Sequence, residues 1–241
     1  MKKLIALALL ATTLTLPVSA QDERSDWSLN TRFRTTNYFS ALLVDVANVV
    51  ITDMLFEDSD DSLTMDRILP MADIVFPIGM QKSGFDDPLN IYGPYHRAFS
   101  NPFKYLGDYA IGIDASWQPS PIGFYAGAYF KSQEIVYKAT DDNLRGFYFQ
   151  PRAGIVLGSK QRSLEAGVFY DIVTGCRYNG KSADKNQLKE GLGLDFALNF
   201  FDKDDRESTP LQFSMPLHNM LNSDVVKRRV GYIMLSRRIS F

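Results

Sequence analysis

Few side chains of this chain have the types and spacing that catalysis would require. The sequence contains two histidines, His96 and His218, and both fall in stretches predicted to be loops. Ser214 lies four residues before His218 on a predicted strand, so the two share a face but lie roughly 13 Å apart along it. That separation is too long for the hydrogen bond by which a histidine activates a serine. The sequence therefore predicts no catalytic residue.

Metal, cofactor and nucleic-acid sites have no better support. Cys176 is the only cysteine, which leaves no disulfide framework and no cysteine-based metal site, and two histidines do not make a histidine-rich cluster. We expect Cys176 in a loop, as an exposed thiol without a partner in the chain. The net charge of −2 does not indicate a nucleic-acid partner. The sequence predicts no metal and no cofactor, and it leaves the ligand unknown.

The remaining candidates are charged residues that alternate with apolar ones along predicted strands. Successive side chains of a strand face opposite sides, so each strand has one apolar face and one face of small or polar residues. The charged residues on the polar faces are Asp108, Asp114, Arg152, Glu165, Asp171, Asp195 and Arg238. In one narrow interior these charges are expected to pair, because an isolated buried charge is costly. All of them except Asp108 form our candidate binding site, and a path for an ion or solute is the alternative to a purely structural network.

Eight segments show the alternation that positions these charges. They cover residues 68–80, 108–117, 122–130, 147–157, 164–172, 188–200, 211–217 and 229–241. Residues 27–35 alternate more weakly, and the N-terminal segment raises the strand number to nine or ten if it contributes. Residues 39–56 remain open: apolar residues at spacings of three and four favour an amphipathic helix, whereas the many β-branched residues favour a strand.

The last thirteen residues are apolar on one face and end in an aromatic residue. That face carries Gly231, Ile233, Leu235, Arg237, Ile239 and Phe241. A soluble protein seldom leaves so apolar a strand at its end, because chain termini usually fray into water. The stretch resembles the closing strand of bacterial outer-membrane β-barrels. The resemblance covers residues 68–241 and implies an all-β fold, an antiparallel up-and-down transmembrane β-barrel of about eight strands (eight to ten). It also implies two partners, outer-membrane lipid and the barrel-assembly machinery that recognises the strand ending in Phe241.

The connections between strands alternate in length, as they do in outer-membrane barrels. Short connections are predicted at residues 118–120, 158–162 and 202–208, and long ones at 81–107, 132–145, 174–187 and 218–228. A closing strand that ends in the periplasm places the four long loops outside the cell. The length rule and the C-terminal pattern therefore predict the same orientation.

The start of the chain has the pattern of an export signal. Lys2 and Lys3 precede an apolar run over residues 4–16 and a small-x-small site that ends at Ala20. The apolar run is shorter than the roughly 20 residues that span a bilayer. We expect cleavage after Ala20, an N-terminal segment over 21–67, a barrel over 68–241, and localisation in the bacterial outer membrane.

These patterns predict a non-enzymatic barrel that serves as a structural or surface-interaction scaffold and presents its outer loops. Three alternatives remain open. One is a narrow channel for ions or small solutes. Another is a lipid-modifying enzyme, since small outer-membrane barrels include lipid A palmitoyltransferases and deacylases, although neither family's motif is visible here. The third is a soluble periplasmic, lipocalin-like binder, in which the apolar faces would line a cavity for an apolar ligand.

Overall fold

The protein is largely a β structure. A computed structural model describes residues 27–37, 39–47, 71–82, 107–119, 121–137, 142–159, 162–200, 207–208, 211–222, 227–235 and 238–239. Its strands are β1 (Trp27–Thr35), β2 (Met71–Lys82), β3 (Tyr109–Trp117), β4 (Ile122–Tyr137), β5 (Asp142–Gly158), β6 (Arg162–Tyr178), β7 (Lys181–Ser182), β8 (Gly191–Phe200), β9 (Glu207–Ser208), β10 (Leu211–Pro216), β11 (Lys227–Leu235) and β12 (Arg238–Ile239). Helix α1 covers 39–47, and a 3-10 helix covers Lys185–Gln187. Seven of the eight predicted strands are confirmed, and so is the strand over 27–35. The eighth, 229–241, is confirmed only in its first part: β11 ends at Leu235, and residues 238–239 form a separate strand that pairs with β9.

One curled, mostly antiparallel sheet contains all but two short strands. Its order is β5–β4–β3–β1–β2–β11–β10–β8–β6–β7, and β6 pairs with β5 as well as with β8. A meander in chain order, as an up-and-down arrangement requires, is formed by the seven strands β3, β4, β5, β6, β8, β10 and β11. The remaining two strands, β9 and β12, pair with each other.

One pair departs from the predicted antiparallel arrangement. Strand β1 runs parallel to β2, with four residue pairs from Arg32–Met71 to Thr35–Ile74. This parallel pair follows from the odd number of long strands in the meander, which is seven. Strands β3 and β11 are its first and seventh long strands and point the same way. Because β1 is antiparallel to β3 and β2 is antiparallel to β11, β1 and β2 must point the same way as each other.

Strands β4, β5 and β6 are longer than the sequence pattern predicted. Residues 132–137 and 142–146 continue β4 and β5, and residues 173–178 continue β6. The predicted loop 132–145 is therefore wrong over most of its length, and the predicted loop 174–187 is wrong over 174–178 and 181–182, which are strand. The polar residues that indicated a loop are accommodated by pairing. The guanidinium of Arg145 lies 3.1 Å from the carboxylate of Glu134, directly across the β4–β5 ladder. Most of the predicted loop 81–107 lies outside the described residues.

The apolar face of the sheet is exposed and the polar face is buried, the reverse of the arrangement in a soluble β protein. Phe124 and Val168 are 54% and 49% exposed, whereas their neighbours Tyr125 and Phe169 are 5% and 2% exposed. The same alternation runs along β3, where Ile111 and Ile113 are exposed and Asp114 is buried. The apolar faces predicted from the sequence therefore point outward, and the faces of small, polar and charged residues point inward.

Helix α1 confirms the helical alternative for the described part of 39–56; residues 48–56 lie outside the described residues. Asn37 starts the helix, because its side-chain oxygen accepts hydrogen bonds from the backbone N–H groups of Phe39 (3.1 Å) and Ser40 (3.3 Å). Within the described residues, no helix is long and apolar enough to cross a bilayer.

Candidate functional site: the buried charge network

Most of the predicted charge network lies on the buried face of the sheet. Asp114, Arg152, Asp171 and Asp195 are buried, and Glu165 is partly buried. The side chain of Arg238 lies outside the described residues. Five of the six candidates therefore have a described side chain, on β3, β5, β6 and β8, and they fall into three groups; Arg238 lies on β12, which pairs with β9.

The central group joins Arg152 to two aspartates from different strands. Arg152 Nε lies 3.4 Å from Asp114 Oδ1, and Arg152 Nη2 lies 3.1 Å from Asp195 Oδ2. Both carboxylates and the guanidinium are almost fully buried. The guanidinium also lies over the rings of Tyr125 and Tyr129, 5.3 Å and 5.2 Å from their centroids. One guanidinium thus lies between two buried carboxylates and contacts each through a different nitrogen.

Aromatic and cationic residues complete this group. Tyr129 donates its hydroxyl proton to Asp114 Oδ2 over 2.5 Å, and the guanidinium of Arg34 lies 4.4 Å from the Tyr129 ring centroid. Arg34 also donates to the side-chain oxygen of Gln212 on β10, at 2.9 Å. Arg32 is buried on the same strand. The sequence argument missed both arginines, although their i, i+2 spacing in 27–35 is the signal that would have found them.

The second group is organised around Asp171, which is only 1% exposed. Lys131 Nζ lies 2.8 Å and 2.7 Å from its two carboxylate oxygens, and Gln150 Nε2 donates to Oδ1 at 2.8 Å. His218 Nε2 lies 3.7 Å from Oδ2, and His218 Nδ1 lies 3.3 Å from the carbonyl oxygen of Leu192. Lys131 was absent from the predicted network because it lies at the border of a predicted loop.

Glu165 forms a third group with Asn199 and Ser163. Asn199 donates its side-chain N–H to Glu165 Oε1 at 2.8 Å and to Ser163 Oγ at 3.1 Å. Asp108, which shared the polar face in the prediction, lies elsewhere again. Its two carboxylate oxygens accept from the Tyr232 hydroxyl and from the backbone N–H of Glu134, both at 2.7 Å.

Several buried polar atoms of the central and third groups have no hydrogen-bond partner among the described residues. They are Arg152 Nε and Nη1, Asp114 Oδ1, Asp195 Oδ2, Tyr125 Oη and Asn199 Oδ1. The ion pairs of Arg152 are thus close in distance but lack the alignment of directed hydrogen bonds. Buried groups of this kind usually bind ordered water.

A small cavity lies beside Arg34 and the Lys131 and Gln150 side chains that bind Asp171. It measures about 50 Å³, and Arg34, Asp108, Lys131, Gln150, Phe169 and Ser214 are among the residues that line it. A single water needs roughly 10–15 Å³ on this measure, so the cavity holds only a few waters. It is too small for a drug-sized ligand, whose pockets measure hundreds of cubic ångströms.

The extended ends of β4, β5 and β6 enclose an apolar core. Its buried residues are Ile135, Leu144, Tyr148, Val173, Cys176, Leu188, Met220 and Leu221. A bridge between Leu188 and Leu221 joins two of the connecting segments over this core. The expectation of an exposed Cys176 in a loop is therefore wrong: the residue lies in β6 and its side chain is 5% exposed.

The residues considered for catalysis do not assemble. Ser214 lines the cavity, whereas His218 faces Asp171, and His96 lies outside the described residues. In the part of the chain that the structure describes, no three His, Cys, Asp or Glu side chains are placed to hold a metal ion. The arrangement is suited to neutralising charge within a buried interior rather than to activating a nucleophile.

Comparison with known proteins adds no further assignment. No protein-family model, no curated protein and no solved structure matches the chain.

Proposed function

We propose that the sheet closes into a nine-stranded barrel in the bacterial outer membrane, with a filled interior, and that it serves as a non-enzymatic scaffold presenting a rigid surface. The observation that carries this proposal is the reversed exposure of the two faces. Burying Asp114, Arg152, Asp171 and Asp195 while exposing isoleucine, phenylalanine and valine is unfavourable in water. It is the arrangement that lipid requires of a barrel.

The strand register supports closure. From Ile122, the paired residues lead through Leu157, Leu164, Leu198, Leu211, Leu235, Ile74, Thr35 and Tyr109 to Ser132. The path visits nine strands and returns to β4 ten residues from its start. With a rise of about 3.3 Å and a strand spacing of about 4.8 Å, that offset gives a tilt of about 37°, within the range of closed barrels.

The odd strand number fits the same closure. In a ring in which every neighbouring pair is antiparallel, the strand number must be even. A ring of nine therefore needs one parallel pair, and the β1–β2 pair supplies it.

The dimensions of the exposed apolar face fit a membrane. From Ile122 to Phe130 on β4, a tilt of about 37° gives a height of about 21 Å between Cα atoms, against the apolar band of about 25 Å in outer-membrane barrels. Exposed aromatic residues lie at both limits. Trp117 contacts Trp27 and Phe124 at one end, with ring centroids 6.0 Å and 6.5 Å apart. Phe130 and Phe149 pair at the other end, at 5.3 Å. Two aromatic girdles are typical of such barrels.

The packed interior favours a scaffold over a channel. The three charge groups and the small cavity occupy the membrane level, and the apolar core of the extended end lies beyond it. Strands β4, β5 and β6 have 16 and 17 residues, whereas about 9–11 residues cross a membrane. The residues beyond those needed to cross the membrane form a sheet with its own apolar core, which is a more rigid surface than the predicted loops.

The orientation and partners follow from the sequence arguments. The extended end carries three of the four connections predicted to be long, while β4 and β5 are joined by only residues 138–141. This end is proposed to face outside, so the segment ending in Phe241 faces the periplasm, where the assembly machinery is expected to recognise it. Export with cleavage after Ala20 precedes insertion.

The test is the electrophoretic mobility of detergent-extracted protein, boiled against unboiled, together with its distribution between membrane and periplasmic fractions. A mobility shift on boiling, with the protein in the outer membrane, is the expected result. A freely soluble periplasmic protein without a shift would overturn the proposal and favour the lipocalin-like alternative. Conductance in planar bilayers that changes on Asp195→Asn would refute the filled interior and favour a channel.

A further inference from the structure

Helix α1 has an apolar face that is about half exposed. Phe39, Leu42, Leu43 and Val46 follow the i, i+3, i+4, i+7 spacing of a single face. They are 43–58% exposed, whereas Ala41, on the opposite side, is 5% exposed. A helix on a soluble protein usually buries its apolar face, so α1 is turned the opposite way.

Contacts at the end of β1 determine where this helix begins. The backbone N–H of Thr36 donates to the carbonyl oxygen of Asp108 at 3.0 Å, and the N–H of Asp108 donates to Thr36 Oγ1 at 2.9 Å. Thr35 is in register with Tyr109 on β3, and Tyr109 with Ser132 on β4, two residues beyond Phe130. Helix α1 therefore starts at the rim of the sheet, near the level of the Phe130–Phe149 pair.

We propose that α1 lies in the lipid interface at the extended end of the barrel, with its apolar face toward the acyl chains. This inference rests on the proposed membrane location and adds a second lipid contact to it. Two observations favour lipid over a protein partner. The adjoining strand β3 exposes Ile111 and Ile113, so the helix continues an apolar surface already present. Four half-exposed side chains also offer far less than the ~800 Å² per partner of a stable protein interface.

Such a helix attaches the rim of the barrel to the surrounding lipid interface. An amphipathic helix binds an interface through its apolar face, about 5–10 Å into the boundary between headgroups and acyl chains. Only one charged residue, Asp45, occurs in 39–47, so apolar burial rather than attraction to charged headgroups accounts for the contact.

Spin labels on opposite sides of α1 test the inference. In a Cys176→Ala background, Leu43→Cys and Asp45→Cys are labelled with a nitroxide and reconstituted into phosphatidylcholine vesicles. Val168→Cys on the exposed face of β6 serves as a reference for the sheet. Collision with oxygen, which partitions into lipid, is compared with collision with a water-soluble nickel chelate. We expect an oxygen-to-nickel ratio several-fold higher at position 43 than at 45, and a high ratio at 168.

The outcomes separate the two proposals. A low ratio at 43 with a high ratio at 168 refutes the interfacial helix and leaves the membrane barrel standing. Low ratios at both positions refute the membrane location itself. A label at 43 that meets neither reagent lies beneath another part of the chain or a second copy, which also overturns the inference. Retention of the mobility shift on boiling verifies folding, and Leu42→Cys replaces any Leu43→Cys variant that fails this check.

Discussion

Replacing Arg152 with leucine should remove the main charge compensation inside the sheet. The side chain lies 3.4 Å from Asp114 and 3.1 Å from Asp195, and all three groups are buried. Removing one partner of a buried ion pair costs about 3–5 kcal/mol, because the remaining charge stays buried without compensation. Asp114 retains the Tyr129 hydroxyl, so most of the loss should fall on Asp195.

Equilibrium unfolding by urea in detergent micelles measures this loss. The fluorescence of Trp27 and Trp117 reports the transition, because both lie in the exposed aromatic cluster at one end of the sheet. Arg162→Leu is the matched control: its side chain is exposed, so its effect should stay within about 0.5 kcal/mol.

A double variant distinguishes charge from packing. Adding Asp195→Asn to Arg152→Leu removes an uncompensated carboxylate, so the double variant should be more stable than Arg152→Leu alone, with a coupling of about 0.5–3 kcal/mol. The contrary outcome is that Arg152→Leu and Arg162→Leu unfold at the same urea concentration. In that case bound water rather than Arg152 stabilises the buried carboxylates, and the reasoning about the network is wrong.

Two further predictions concern packing on the buried face. Gly167→Ala should destabilise the fold by about 1–3 kcal/mol in the same urea assay, because its new Cβ would meet the Tyr125 hydroxyl and the carbonyl oxygen of Ala153. The control is Gly175→Ala, where the atom nearest to the new Cβ is on Phe147, 3.7 Å away. Equal effects of the two substitutions would contradict the close approach at Gly167. Cys176 should react slowly with a thiol reagent until the protein unfolds, because it is buried and burial raises the pKa of its thiol, which lies beyond the proposed membrane band. Ser182→Cys in a Cys176→Ala background is exposed and should react at once; equal rates would show that the apolar core is open.

Alternation predicted the strands because a two-residue period is a local property of sequence. It did not determine which face is buried, since a soluble sandwich and a membrane barrel share the same period. It also failed where strands continue through polar residues: Ser132 to Glu134 resemble a loop, yet they are buried within β4. The partners of Glu134 are Asp108, just before β3, and Arg145 on β5. These residues are distant in sequence, so a local sequence pattern does not reveal the pairing.

The sequence predicted which charged residues share the site, but it did not predict which of them contact each other. Asp114, Arg152 and Asp195 were assigned to one interior face, and they do meet. Which charges pair depends on register across β3, β5 and β8, and a slip of one residue would turn a side chain to the other face. Register across β4, β5 and β6 likewise brings Lys131 to Asp171, a contact that was missed because Lys131 lies at the border of a predicted loop.

The pairing of β11 with β2 has a consequence for the time course of folding. These strands come from opposite ends of the chain, and the ladder between them has nine residue pairs. During synthesis β2 emerges long before its antiparallel partner exists, so an unpaired edge remains available to other strands. Contacts between distant residues also slow folding, because the loop entropy is lost before the pairing is gained. The newly made protein therefore depends on protection from aggregation until its last strand arrives.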